Sequence, residues 1–199
     1  MAEQTRFNDT IASFDAMNAQ DPNLLTIDGK QKPKELVYAQ RLSEMLARYA
    51  PGASEALNLA TRAQHIQRWV SPRSDYPMTK PGYMQWSSNL KKHHAEVASK
   101  VMQEHGYDAE AIQQVASLLQ KKNLRANADT QPLEDVIVLA FLEHDLDAFV
   151  TKYSDYIEEK FLTFLRKPYM KMSDKGRAVA LSLITIPEHL LPVVLKAVG

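Results

Sequence analysis

The chain has 199 residues, 45% of them hydrophobic and 24% charged, long enough for one domain with a full core. Its 24 basic and 24 acidic residues balance, so net charge gives no reason to expect a nucleic acid or a membrane surface as partner. It has no cysteine, which excludes disulfides, zinc–thiolate centres, iron–sulfur clusters and cysteine nucleophiles together.

The pattern is helical nearly everywhere. Residues 6–19 place Phe7, Ile11, Phe14 and Met17 on one helix face. Asp21-Pro22-Asn23 stops that helix, and residues 21–33 read as a loop. Pro33 suits a helix start, and residues 35–49 continue with Leu36, Leu42, Met45 and Leu46. Pro51-Gly52 breaks the chain. Ser54 is the expected N-cap of a helix running to about residue 69.

Residues 70–82 hold three prolines and no helical period, the mark of a structured loop in which Arg73 and Tyr76 are candidate binding groups. Thr79 or Lys80 precedes a long helix that ends near Gly106. Asp108 caps the next, through about residue 121. Residues 123–131 are polar and loop-like. Pro132 opens the most apolar helix, to about residue 153. Residues 156–166 give another helix, Ser173 or Asp174 caps a short one, and Pro187 opens the last, through residue 198. No strand alternation of convincing length stands out. The expected fold is an all-α single-domain bundle of seven to nine helices over residues 1–199. Residues 1–20 lack a signal-peptide apolar run, and the apolar run 136–142 is too short to cross a bilayer, so a cytoplasmic protein is expected.

Three polar interruptions of apolar helices carry the chemical interest. In the helix over 83–106, Trp86, Leu90, His94, Val97 and Val101 fall on one stripe at about 100° per residue. A histidine there must find a partner for its ring nitrogens, as a bonded core residue, a metal ligand or a general base. Glu134 and Asp135 lie in the first turn after Pro132, where the helix dipole favours carboxylates. Asp135 shares its face with Leu139, Leu142 and Leu146, which points it inward. His65 points away from the face made by Ala56, Leu59, Ala60, Ala63 and Ile66, and Arg68 with Arg73 could present a guanidinium pair to a phosphate or carboxylate. No glycine-rich phosphate loop, GxSxG or HExxH motif is present.

FNDTIASFDAMNAQDPN, ELVYAQRLSEML, ASEALNLATRAQHIQRW, PRSDYPMTKPGYMQW, LKKHHAE, QPLEDVIVLAFLEH and KMSDKG together resemble an uncharacterised family of bacterial and fungal proteins, a domain of unknown function. The resemblance covers almost the whole chain and implies one full-length domain without an assigned activity. A more distant resemblance is to the HD-type metal-dependent phosphohydrolases, all-helical enzymes with ligands in the order His, His-Asp, Asp. It implies an HD-like bundle in which His65 is the dyad histidine, His94 an additional histidine and Asp135 the terminal aspartate. Ile66 stands where that dyad has aspartate, and Tyr38 or Gln40 stands where the earlier helix has histidine.

Two function classes follow. One is a metal-dependent hydrolase of a small phosphorylated or nucleotide-like substrate. In it His65, His94 and Asp135 hold one divalent transition metal, Glu134 orients water or acts as base, and Arg68, Arg73 and Lys91 meet the phosphate. The other is a non-catalytic helical module that binds a small molecule or a partner protein, its histidines and carboxylates forming a buried structural network. The sequence leaves the substrate and the oligomeric state open.

Overall fold

A computed structural model describes residues 2–121, 127–152 and 158–198. Helix α1 (Ala2–Asn18) turns Phe14 fully into the core, with Phe7, Ile11 and Met17 packed partly against it. Residues 24–33 are not a plain loop. Strands β1 (Leu24–Ile27) and β2 (Lys30–Pro33) pair as an antiparallel hairpin. Asp28 and Gly29 turn it with φ of 51° and 72°. Two left-handed residues in a two-residue loop match the twist of the flanking strands, and Asp-Gly is the pair that accepts those angles most readily. The strands have four residues each and are largely exposed, which leaves little alternation to read.

Helix α2 (Lys34–Tyr49) follows Pro33 directly and buries Glu35, Val37, Ala39, Leu42, Met45, Leu46 and Tyr49. Leu42 and Leu46 are fully buried, so truncating either to alanine costs about 2–5 kcal/mol. Helix α3 (Glu55–Arg62) begins where Ser54 Oγ accepts from Leu57 N at 3.0 Å. It ends well short of residue 69. Residues 63–67 unwind into turns, Gln67 adopts a left-handed φ of 51°, and a 3-10 turn (Arg68–Val70) follows. Asn18, fully buried at the end of α1, accepts from Gln67 N at 3.1 Å and holds that unfavourable conformation. This break sets the direction of His65 and Arg68.

The loop after it is held by Arg73, which donates to the carbonyls of Tyr76 at 2.9 Å and Pro77 at 2.8 Å. Helix α4 (Lys80–Glu104) is capped by Thr79 and α5 (Ala109–Leu119) by Asp108. Helix α6 (Thr130–His144) stops at Asp145, and α7 (Leu146–Lys152) continues, so the expected helix over 132–153 is two. Tyr153 and Tyr156, expected at helix ends, lie outside the described residues. Helices α8 (Glu158–Lys171), α9 (Asp174–Leu183, capped by Ser173) and α10 (Leu191–Val198) complete the chain.

The described residues thus carry ten α-helices and one hairpin, an essentially all-α fold. Helix α2 packs on α3 and α6, and α5 on α3 and α4. One hydrophobic cluster runs from Phe14 in α1 to Ala197 in α10. No described helix is long and apolar enough to cross a membrane.

Candidate functional site

Helix α2, the turns after α3 and the middle of α4 bring Glu35, Tyr38, His65, Arg68, Lys91 and His94 together. The His65 ring stacks on Tyr38, centroids 4.0 Å apart and planes 11° from parallel. Its Nδ1 lies 3.2 Å from Glu35 Oε2 and its Nε2 lies 2.8 Å from Arg68 Nη1. Arginine keeps its protons in proteins, so Arg68 is the donor and Nε2 the acceptor. The ring proton therefore sits on Nδ1 and is donated to Glu35. Burial, then the nearby Arg68 charge, hold His65 well below the usual imidazole range, in keeping with this neutral form.

Glu35 is itself buried, and its backbone N–H donates to Asp21 Oδ2 at 2.9 Å. Burial pushes its carboxyl up to about 7, against the opposing pull of Arg68 and Lys34. His94 is only 4% exposed, and its ring centroid lies 6.0 Å from that of His65. Burial, with His65 and Arg68 beside it, drives its pKa down to about 2. Its Nε2 and the Oε1 of Gln64 are buried without a hydrogen-bond partner among the described residues. Buried polar atoms normally find a partner, and both of these residues line one cavity.

The Arg68 guanidinium lies 4.9 Å from the centre of the Trp86 ring, whose Nε1 donates to the Ser71 carbonyl at 2.9 Å. Lys91, half-buried on α4, has its ammonium pKa lowered by burial and then by the charge of Lys121. A cavity of about 170 Å³ opens between Gln64, Arg68, Trp86, Lys91, His94 and Lys121. A second, of about 400 Å³, lies between the hairpin, α2 and α6–α7. Tyr38, His65 and Arg68 line both. A groove of about 510 Å³ over Glu110, Ser117 and Asp129 contains none of these groups.

Of the residues expected from sequence, His65, His94, Arg68 and Lys91 meet at the smaller cavity. Glu134 reaches it only indirectly, as the ion-pair partner of Lys121. Arg73 stands on the Trp86 side, 6.0 Å from the ring centre, but its donors serve loop carbonyls. Asp135 is fully buried, as its inward face predicts, yet it belongs to another network. It accepts from Tyr49 Oη at 2.6 Å, Ser173 N at 2.8 Å, Ser173 Oγ at 2.5 Å and Gln131 Nε2 at 3.0 Å, and it lines neither cavity. At that turn of α6 the interior is filled by the end of α2 and the start of α9. Among the described residues, no three His, Asp or Glu side chains gather as a metal ion would need.

A family model described as Domain of unknown function (DUF4202) matches residues 8–194. The chain belongs to that family. No curated protein and no solved structure matches it. Every residue of this site lies within the DUF4202 match. Sequence reasoning missed Glu35 and Lys121 as members of the site. Glu35 did carry a signal, because it recurs with Ala39, Leu42, Leu46 and Tyr49 on the buried stripe of α2. Lys121 follows the end of α5 in a left-handed conformation and carried none.

Proposed function

We propose that the chain binds a small phosphorylated molecule, with the phosphate held between Arg68 and Lys91 in the cavity beside His94. The observation that carries this reading is the charge around the cavity. Arg68, Lys91 and Lys121 line it, and no described Asp or Glu does. Arg68 is braced by His65 through one nitrogen and makes no ion pair among the described residues, so most of its planar fork is left for an acceptor. Lys121 is paired with Glu134, but Arg68 and Lys91 make no ion pair among the described residues, and half-buried cations of this kind favour an anion in the space between them.

The hydrolase reading keeps one supporting observation, the unpartnered Nε2 of His94. A neutral imidazole is a good ligand for a divalent transition ion, and a bound phosphate could complete its coordination. His65 is a poor second ligand, because both its nitrogens are engaged.

The test is calorimetric titration of the chain with inorganic phosphate and pyrophosphate. Arg68→Ala and Lys91→Ala should each weaken binding at least about tenfold, or 1.4 kcal/mol. Unchanged affinity in both variants would remove the proposal. An assay with p-nitrophenyl phosphate, with and without manganese or nickel, then separates the two function classes. Ion-dependent turnover lost in His94→Ala supports the hydrolase. Binding without turnover supports the binding module.

A further inference from the structure

We propose that the larger neighbouring cavity receives the body of the same ligand, and that this body is aromatic or otherwise flat and apolar. The inference rests on the phosphate reading above. Size is the first argument. Small-molecule sites usually offer about 300–1,000 Å³. The Arg68–Lys91 cavity, at about 170 Å³, falls below that and suits a phosphate group alone. Its neighbour, at about 400 Å³, falls within the range. Arg68, His65 and Tyr38 line both, so the two spaces adjoin at the residue that would hold the phosphate.

The chemistry of the second wall is the other argument. Its carboxylates already have partners. Glu35 accepts from His65, and Asp145 lies 4.0 Å from Arg41. Lys34, Arg41 and Lys152 also line this wall, and its apolar face is made by Leu25 from β1, Phe141 from α6 and Phe149 from α7. Phe141 and Phe149 meet edge to face, centroids 5.6 Å apart at 80°, and both are only half-buried. Such rings gain from a further apolar face laid against them. A polar polyhydroxylated body would lose water against those rings without a matching gain there.

The experiment is a ligand series on the unaltered chain: inorganic phosphate, glycerol 3-phosphate, phenyl phosphate and 1-naphthyl phosphate. Phenyl phosphate should bind at least about tenfold more tightly than inorganic phosphate, with naphthyl phosphate as tight or tighter. Glycerol 3-phosphate should stay within about threefold of inorganic phosphate. Phe141→Ala should lower the ratio of phenyl to inorganic phosphate affinity at least about fivefold, and Phe141→Leu is the milder variant if alanine is not tolerated. Equal affinity for phenyl phosphate, glycerol 3-phosphate and inorganic phosphate would overturn this inference while leaving the phosphate site standing. Failure of all four to bind would instead overturn the phosphate reading itself, and this inference with it.

Discussion

Arg68 donates from Nη1 to Nε2 of His65 at 2.8 Å, and that single bond fixes where the imidazole keeps its proton. With Nε2 occupied as an acceptor, His65 is not a free base facing the cavity. It is a strut between a buried carboxyl and a guanidinium, with Tyr38 stacked against its face to stop it rotating.

The first prediction concerns that proton. Nitrogen NMR of the chain at neutral pH should show His65 neutral, protonated on Nδ1 and bare on Nε2. On acidification the ring should stay neutral well past the ordinary histidine pKa of about 6.5. Arg68→Ala removes a positive neighbour and frees Nε2, so protonation should move to higher pH. An imidazolium signal at pH 7 in the unaltered chain would disprove the arrangement.

Glu35 should make stability depend on pH in a particular direction. Its folded pKa of about 7 lies above the ordinary 4.5, so the folded chain holds the proton more tightly than the unfolded chain does. Its contribution is fully present below pH 4.5 and is lost as pH rises to about 7. Glu35→Gln keeps an acceptor for His65 but cannot ionise. Relative to the unaltered chain it should gain stability across that window, by up to roughly 3 kcal/mol. Urea unfolding at the two ends of the window measures this, and parallel curves would show that Glu35 titrates normally.

His94 acts in the opposite sense. Its folded pKa is depressed from 6.5 to about 2, so its stabilising contribution is present above pH 6.5 and is lost as pH falls toward 2. Its share of the acid loss approaches roughly 1.4 kcal/mol per pH unit. His94→Gln should flatten the stability profile below pH 6.5. An equally steep profile in the variant would mean that this ring protonates in the folded state.

Asp135 should prove structural. Asp135→Ala leaves the donors of Tyr49, Ser173 and Gln131 without their shared acceptor inside the core. The expected loss is about 3 kcal/mol or more. In a chain of this size that lowers the melting temperature by roughly 6–12 °C. Gly176→Ala should also destabilise, because a Cβ there would sit 2.8 Å from the Asp135 carboxyl carbon, which is too pinned to move away. Phosphate affinity measured on the folded fraction should not change in either variant. A large loss of affinity in Asp135→Ala, without a loss of stability, would return this residue to the binding site.

The sequence spoke clearly where one helix face or one cap decides the outcome. His94 sits on an apolar stripe and is buried; Ser54, Asp108 and Ser173 cap as their positions require. It spoke less clearly where the answer depends on what lies opposite. The inward face of Asp135 could be read, but not that Tyr49 and Ser173, distant in sequence, would meet it there. Periodicity continued α3 past Arg62, because nothing local announces that buried Asn18 will hold Gln67 in a left-handed turn. That break is what carries Arg68 onto His65, so the site was least legible where a tertiary contact overrides helical spacing.

The position of Trp86 gives the protein an optical readout of its own. The chain has two tryptophans, Trp69 and Trp86, and Trp69→Phe would leave a single emitter with a guanidinium resting 4.9 Å from its ring centre. Indole emission responds to the charge beside it. An anion that draws Arg68 toward itself therefore changes the colour or brightness of Trp86, and occupancy can be followed without a label.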